Sequence, residues 1–338
     1  MKKILECPYC DGIAGLVKKD SEFPYRKEVY KVVEHYYKCD KCREEFTTTQ
    51  TDTITVLQAH NQYRERYKTP FPEDISAIRE KYEISGTKMS EVLGLGVNGF
   101  SNYERGEMPT QAIGNLINTI SDPKVFKDML GRARGCFTDG MYENAIKKVH
   151  FLIEQKKSVS PFYNKLNLFL EPTRLTGFKK PNIDKLANLL VEFIARCDKS
   201  FNDRLKLNKL LFYTDFLCYK QFGCSITGLS YRTIQYGPVP TCYDNIYSYL
   251  EDENIISPRW IRESDGSARE TFITDSTFDG KLFNDDEKSI IDTICDNFGE
   301  MKTWDMVDLS HKEKAWIDLQ SDKQVIDYQK YAFDLKAI

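Results

Sequence analysis

Residues 7–10 read Cys-Pro-Tyr-Cys and residues 39–42 read Cys-Asp-Lys-Cys, and this pair of C-x2-C motifs decides how the start of the chain folds. Each motif aims two thiolates at one point, so two motifs brought face to face offer the four ligands of a tetrahedral metal. Residues 28–37, which lie between them, are rich in β-branched and aromatic side chains and are predicted to form a strand. We therefore predict one structural Zn²⁺ per chain, held by Cys7, Cys10, Cys39 and Cys42.

A disulfide pair and a redox centre are the competing interpretations of these cysteines. A redox C-x2-C motif usually opens a helix in a βαβ unit, whereas Pro8 indicates a short strand-and-turn region. The metal interpretation also limits the chemistry, because four thiolates leave no open coordination position for water or substrate. The zinc is therefore predicted to be structural and not catalytic.

Length, charge and cysteine content indicate the class of protein. A chain of 338 residues exceeds one ordinary core and predicts two or three domains. The formal net charge of −3 gives no overall basic surface. Residues 1–7 lack the apolar run of a signal peptide, and no stretch reaches the roughly 20 apolar residues of a membrane span. Ten cysteines without an export signal indicate a reducing compartment, so we expect a cytoplasmic protein without a membrane partner.

Charge is uneven along the chain. Most of the charged residues in 132–180 are basic, and most of those in 285–308 are acidic. The plain interpretation of both stretches is a solvated helix surface. The alternative is that the basic stretch contacts phosphate or an acidic neighbour, while the acidic stretch faces a basic partner. The basic residues are Arg132, Arg134, Lys147, Lys148, Lys156, Lys157, Lys165, Arg174, Lys179 and Lys180.

Residues 69–131 predict a compact helix-turn-helix domain of five short helices. Pro72 suits the first turn of the first helix, and Ser85 is a good N-cap for the second. Gly94 supplies the turn before the third helix, and Gly106 ends that helix. The predicted helices cover residues 72–82, a short stretch after Ser85, and residues 97–105, 110–120 and 123–130.

The spacing within this domain is specific. Ser90 is the small residue at which the second helix crosses the third, and Phe100 is the apolar anchor of the third helix. A generic five-helix bundle, the competing interpretation, needs neither this spacing nor polar side chains at the exposed start of one helix. Those side chains predict contacts to bases in the major groove of double-stranded operator DNA, with a homodimer reading a palindrome. The predicted DNA-contacting residues are Val97, Asn98, Ser101 and Asn102.

Signals elsewhere complete the predicted fold class, which is mainly α and multidomain. Residues 46–56 are rich in threonine and are predicted to form a strand, and residues 322–335 are predicted to form a last helix. Residues 229–235 read as a strand, after which residues 236–240 turn the chain into a helix. The predicted domains are a small β-rich zinc module (1–68), the five-helix helix-turn-helix domain (69–131), a basic helical connector (132–180) and an α-helical domain with a small β-sheet (181–338).

Residues 1–131 resemble the MqsA family of bacterial antitoxins, a YgiT-type zinc finger joined to an Xre-like helix-turn-helix. The matching segments are residues 7–10, 37–42 and 94–106, of which the last is the most specific. The resemblance implies zinc binding by the four cysteines and insertion of the third helix into the operator. It also implies one base contact from an asparagine, matched by Asn98, and one from an arginine where this chain has Asn102. Because arginine reads guanine and asparagine reads adenine, we expect a different operator sequence.

Residues 181–338 resemble a second antitoxin module, the Panacea (SocA-associated) domain. The matching segments are residues 206–213, 236–240 with Tyr243, and 309–316. In that family the domain binds and neutralises a toxin encoded beside it, and some members deliver the toxin to a protease. Residues 236–238 also suit a purely structural chain reversal. The toxin-contacting residues that the resemblance implies are Tyr236, Gly237, Pro238, Tyr243 and Trp316.

Three functions are compared. The first is an antitoxin of a type II toxin–antitoxin system, in which residues 181–338 alone neutralise the toxin and residues 1–131 repress the operon. A proteolytic adaptor for the toxin is a variant of it. The second is a stand-alone zinc-containing transcriptional regulator whose C-terminal domain senses a ligand or dimerises. The third, an enzyme, is not expected, because no histidine has a partner at catalytic or ligand spacing. The histidines are His35, His60, His150 and His311.

Overall fold

Fourteen α-helices and eight strands make up the part of the chain that the computed structural model describes, and the fold is mainly α-helical, as predicted. The described residues are 1–155, 168, 170–197, 202–262, 266 and 268–338. The chain divides into two compact units. One unit joins residues 1–58 to residues 161–338, and the other comprises residues 59–160. Within the described ranges, no helix has the length and apolar character needed to cross a membrane.

The first unit begins with a four-stranded antiparallel sheet. Ala14 lies opposite Cys39 and Tyr25 lies opposite Glu28, so the two long strands pair along their whole length. The side chain of Tyr37 is buried and stacks on Phe46 at a ring-centroid distance of 5.5 Å. The predicted strand over residues 28–37 is confirmed. In order across the sheet, the strands are β1 (Ile4–Glu6), β2 (Ile13–Tyr25), β3 (Glu28–Cys39) and β4 (Glu45–Phe46).

Helix α1 (Thr49–Tyr67) occupies most of the segment for which a strand is predicted, so the prediction for residues 46–56 is wrong. The backbone N–H of Thr51 donates to Thr48 Oγ1 at 3.3 Å, which is an N-cap interaction. Ile54 is buried, and the buried amide of Gln58 binds the backbone of Val33, accepting from its N–H at 2.7 Å and donating to its oxygen at 2.9 Å. Burial of this helical face outweighs the modest strand preference of threonine.

The second unit is built around one small apolar core. Tyr82 stacks on Phe126 at a ring-centroid distance of 3.9 Å and donates its hydroxyl hydrogen to the oxygen of Ile120 at 2.6 Å. Val149 packs on the same core, so the helix predicted within the basic connector belongs to it. Lys156, Lys157 and Lys165 of that connector lie outside the described residues. The helices are α2 (Pro72–Lys81), α3 (Gly86–Val92), α4 (Gly99–Glu104), α5 (Gln111–Thr119), α6 (Pro123–Arg132) and α7 (Asp139–Gln155).

The C-terminal part of the first unit surrounds one helix, α9 (Arg204–Phe222), whose residues 206–219 are all buried. Asp215 in this helix is buried and accepts hydrogen bonds from Ile226 N–H at 2.8 Å, Thr227 N–H at 2.9 Å and the Tyr231 hydroxyl at 2.8 Å. The carboxylate thereby fixes the loop that follows the helix. The other elements are α8 (Ile183–Arg196), β5 (Tyr231–Ile234), β6 (Gly237–Pro240), α10 (Tyr243–Asp252), β7 (Ser257–Arg262), β8 (Ala268–Ile273), α11 (Asp285–Phe298), α12 (Thr303–Ser310), α13 (Lys314–Leu319) and α14 (Tyr328–Tyr331).

Two predictions for this part are wrong. Residues 237–240, predicted as a turn, form β6 and pair with β5 in a hairpin whose turn is Gln235 and Tyr236. The last helix covers only residues 328–331 of the predicted 322–335, followed by a 3-10 turn at 332–334. The preceding chain is extended because it pairs with β5, and Ile326 N–H donates to the Tyr231 oxygen at 2.7 Å.

The zinc-module sheet packs on the C-terminal segment within the first unit. Lys18 Nζ donates to the oxygen of Phe333 at 2.7 Å and forms an ion pair with Asp334. The His35 ring lies 5.2 Å from the ring of Phe333, and burial lowers the pKa of His35 to about 4. Residues 1–58 and 161–338 therefore form one compact unit, although the predicted division places most of them in two separate domains, 1–68 and 181–338. The predicted boundaries themselves stay a prediction.

Candidate functional site

The four cysteines predicted to hold zinc lie together at one end of the sheet. All four Sγ atoms lie within 4.8 Å of one another. The Sγ atoms of Cys7 and Cys42 are 3.6 Å apart, and those of Cys10 and Cys39 are 3.5 Å apart. Thiolates about 2.3 Å from one tetrahedral Zn²⁺ lie roughly 3.8 Å from each other. The donor set and its spacing therefore fit one such ion.

Backbone N–H groups surround these sulfur atoms. Tyr9 N–H donates to Cys7 Sγ and Gly12 N–H donates to Cys10 Sγ, both at 3.4 Å. A Cβ atom at Gly12 would lie 2.8 Å from Cys39 Sγ, so glycine is required for the close approach of this turn. Such N–H groups orient thiolate ligands and stabilise their negative charge. The sequence offered no reason to single out Gly12.

Ser90, Gly94 and Phe100, the residues singled out in the sequence, hold the two helices of the helix-turn-helix together. The buried Ser90 hydroxyl accepts from Phe100 N–H at 3.0 Å and donates to the Gly86 oxygen at 3.0 Å. This pair of bonds holds α3 against the start of α4. Gly94 has a φ of +66°, a conformation that favours glycine, and Phe100 is fully buried. The predicted roles of Ser90, Gly94 and Phe100 in the turn are confirmed.

The residues predicted to contact DNA lie around the start of α4. The helix was predicted to begin at Val97, but it begins at Gly99. Val97 and Asn98 therefore lie in the turn before the helix and not in its first turn. Val97 is 72% exposed, and Asn98 and Asn102 are also exposed, whereas Ser101 is half-buried beside Gly86. The Asn98 side chain makes no capping hydrogen bond to α4. Its amide is thus not used by the helix it precedes.

The residues predicted to contact a toxin are divided between a surface groove and the core. Tyr236 and Trp316 line the groove, Gly237 and Pro238 are buried, and Tyr243 is half-buried and does not line it. The Trp316 indole N–H donates to the oxygen of Ile234 at 3.0 Å, which fixes the ring. The nine residues that line the groove are Ile234, Gln235, Tyr236, Trp304, Val307, Asp308, His311, Trp316 and Gln320.

Gly237 and Pro238 are buried and directly follow Tyr236, which lines the groove. Gly237 has a φ of +96°, and a Cβ there would lie 2.7 Å from Lys209 Cε. The buried amine of Lys209 donates to the oxygen of Pro238 at 3.0 Å. Burial lowers the pKa of Lys209 to about 7 and also lowers the pKa of His311, whose ring stacks on Trp316 at a centroid distance of 3.8 Å. The role of Gly237 and Pro238 seen here is structural.

Sequence reasoning missed Trp304. Its side chain is 61% exposed and meets Tyr236 edge-on, with ring centroids 5.8 Å apart and planes at 76°. The sequence held a signal for an exposed role of this residue. Trp304 belongs to a short helix whose apolar side holds the buried Met306 and Val307. Trp304 lies at the edge of that apolar side, one turn before Val307, where a large aromatic ring stays exposed.

Comparisons with known proteins identify two matching families along the chain. The family described as "Antitoxin component of bacterial toxin-antitoxin system, MqsA" matches residues 5–129. The family described as "Antitoxin SocA-like, Panacea domain" matches residues 207–317. Antitoxin MqsA of Escherichia coli (strain K12) is 30% identical over 107 residues, which are 30% of this chain and 80% of that protein. Both predicted resemblances are confirmed.

Proposed function

The chain belongs to the MqsA antitoxin family, and from this premise we propose that it neutralises a cognate toxin by direct binding and represses its own operon. Its two matching families are both antitoxin families, so it is an antitoxin of a toxin–antitoxin system. Antitoxins are typically regulators and not enzymes. We assign toxin binding to the C-terminal domain and operator binding to the helix-turn-helix, as in a type II antitoxin with separate toxin-binding and DNA-binding domains.

The observation that carries this proposal is the presence of two different surfaces suited to two kinds of partner. In the second unit, Val97, Asn98 and Asn102 project to solvent around the start of a short helix. In the first unit, Tyr236 and Trp304 are exposed in an aromatic groove. Polar side chains at a helix start suit base edges, and exposed aromatic rings suit a protein interface.

We propose that Cys7, Cys10, Cys39 and Cys42 hold one structural Zn²⁺. When bound, the ion would tie the turn at residues 7–12 to the turn at residues 39–44, which are otherwise joined mainly by strand pairing. The core around these residues is small: Ala14 and Tyr37 are buried with Cys7 and Cys39, and Leu5, Leu16 and Phe46 pack against them. A bound metal would therefore add stability to a module with little apolar burial of its own. We also propose a homodimer, because two-fold symmetry doubles a small DNA interface.

Co-expression with the neighbouring gene tests the proposed function. The neighbour's product should arrest growth when expressed alone, and the full chain should restore growth and co-purify with it. A reporter under the operon's own promoter should be repressed by the chain and released by Asn98→Ala. Asn115→Ala, an exposed asparagine on α5, serves as the control and should repress normally.

The outcomes separate the alternatives. A harmless neighbour combined with intact repression would favour a stand-alone transcriptional regulator. Restored growth with loss of the toxin protein, instead of accumulation of a complex, would favour a proteolytic adaptor. Restored growth by a chain that never binds the neighbour's product would contradict direct neutralisation.

A further inference from the structure

Four ring-bearing side chains line the aromatic groove of the C-terminal domain: Tyr236, Trp304, His311 and Trp316. Tyr236 and Trp304 meet with ring planes 76° apart. Trp316 is held by its hydrogen bond to Ile234 and is covered on one face by His311, with ring planes 15° apart. A ring fixed as Trp316 is loses little conformational freedom on binding. This side of the groove is thus preformed.

The side chains that line the groove carry one negative charge, and the nearby Lys209 amine is buried and donates to the oxygen of Pro238. Among the nine lining residues, Asp308 carries the only carboxylate, and no lysine or arginine is present. Burial lowers the pKa of His311, so its ring is neutral near pH 7 and does not offset that charge. The faces of tyrosine and tryptophan rings also attract cations through their quadrupoles.

We infer that this groove binds an arginine side chain of the toxin. A guanidinium group is planar, stacks on aromatic faces and donates two parallel hydrogen bonds to a carboxylate. It would lie on the exposed ring of Trp304, beside the edge-on Tyr236, and pair with Asp308. A lysine ammonium group would satisfy the charge but not the stacking surface. The inference rests on the proposed function, since the toxin is taken as the partner.

Two matched pairs of residues allow a controlled experiment. Trp304 and Trp260 are exposed to similar extents, 61% and 64%, but Trp260 lies on β7 outside the groove. Asp308 and Asp305 are exposed on the same helix, and only Asp308 lines the groove. The full chain carrying Trp304→Ala, Asp308→Asn, Trp260→Ala or Asp305→Asn is titrated with the purified product of the neighbouring gene, and the Kd is measured.

Trp304→Ala should raise the Kd by about thirtyfold or more, as expected for a central aromatic contact. Asp308→Asn should raise it by about tenfold and reduce its dependence on salt concentration. Trp260→Ala and Asp305→Asn should stay within about threefold of the wild-type chain. Thermal unfolding confirms that each variant folds, and Trp304→Phe, which keeps an aromatic ring with a weaker cation attraction, should bind with intermediate affinity.

Replacement of each arginine of the partner by alanine identifies the occupant. One such change should lose its effect in the Trp304→Ala background, as a double-mutant cycle requires. A Kd for folded Trp304→Ala equal to that of the wild-type chain would overturn the inference while leaving the proposed function intact. So would a cycle in which no arginine couples to Trp304. Absence of binding by the wild-type chain would instead overturn the proposed function.

Discussion

Lys209 shows how a single buried residue makes stability depend on pH. Its amine lies in the core of the C-terminal domain, and burial lowers its pKa to about 7 from the ordinary value of 10.5. Between these values the unfolded chain binds more protons than the folded chain, so the free energy of unfolding rises with pH. The destabilisation by this group is complete below about pH 7 and absent above about pH 10.5.

We expect the stability of the wild-type chain to rise between about pH 7.5 and pH 9 relative to that of Lys209→Met, by up to about 1.4 kcal/mol per pH unit. Urea unfolding of both chains at each pH measures this difference. Lys312→Met, which removes an exposed lysine, should follow the wild-type chain. An identical pH dependence in Lys209→Met and the wild-type chain would show that the amine is not titrating in this range.

Residue identity predicted part of the candidate sites and not the rest. Cys7, Cys10, Cys39 and Cys42 could be recognised as candidate metal ligands from the sequence, because paired thiolates at that spacing have few other uses. Ser90 and Phe100 were recognisable because a close helix crossing restricts side-chain size. Trp304 was missed because its role depends on Tyr236, a residue 68 positions away in the sequence that only the fold brings near.

Helix α4 and the turn before it carry the predicted base contacts, although the helix begins two residues later than expected. Asn98→Ala should weaken operator binding by about 1–3 kcal/mol for one specific base pair, because asparagine reads adenine through two hydrogen bonds. Binding of the purified chain to operator duplexes that differ at single base pairs measures this. Equal losses on every duplex would mean that Asn98 contacts only phosphate.

The proposed zinc ligands lie at one end of the sheet: Cys7 and Cys10 between β1 and β2, Cys39 at the end of β3, and Cys42 between β3 and β4. The sheet and the metal should therefore depend on each other. Metal analysis of the purified chain should give about one Zn²⁺, and Cys39→Ser should abolish it. Cys136→Ser, which changes an exposed cysteine far from this group in the sequence, should retain the metal. A metal-free chain whose amide hydrogens in β2 and β3 exchange as slowly as those of the metal-bound chain would contradict a structural role.

Elements were predictable where local chemistry decides them and not where distant packing does. Ser85 caps α3, as expected, because this bond lies within one helical turn. Asn284 and Glu287 form a capping box of the same local kind at the start of α11. The strand expected at 46–56 is helical because its buried face contacts Val33 of the sheet. Residues 324–327, expected to be helical, are not, because this segment pairs with β5 and Ile326 N–H donates to the Tyr231 oxygen.

At the scale of the whole molecule, residues 1–58 and the C-terminal domain share one compact unit. Lys18 and His35 of the sheet contact Phe333 and Asp334, and Gln329 donates to Gln58 at 2.8 Å. Removal of the sheet would expose this surface to water. We therefore replace the expectation that residues 181–338 suffice for neutralisation with the prediction that residues 1–58 are also needed.

A chain in which a flexible Gly/Ser linker replaces residues 59–160 should still bind and neutralise the toxin, although it no longer binds the operator. Residues 161–338 alone should be less stable and should fail to restore growth. Growth assays with co-expressed toxin, combined with thermal unfolding of each purified chain, measure both effects. Full rescue by residues 161–338 alone would restore the original expectation of an independent C-terminal domain.

The discontinuity of the first unit has a consequence for translation. The sheet leaves the ribosome first, yet the residues on which it packs, Phe333 and Asp334 among them, are synthesised after the whole of residues 59–160. Such contacts between distant parts of a sequence form late, whereas the intervening helical unit has all its partners at hand much earlier. On the proposed function, a chain truncated after residue 160 would contain the complete DNA-binding unit but lack most of the toxin-binding unit. Such a chain would repress the operon without neutralising the toxin.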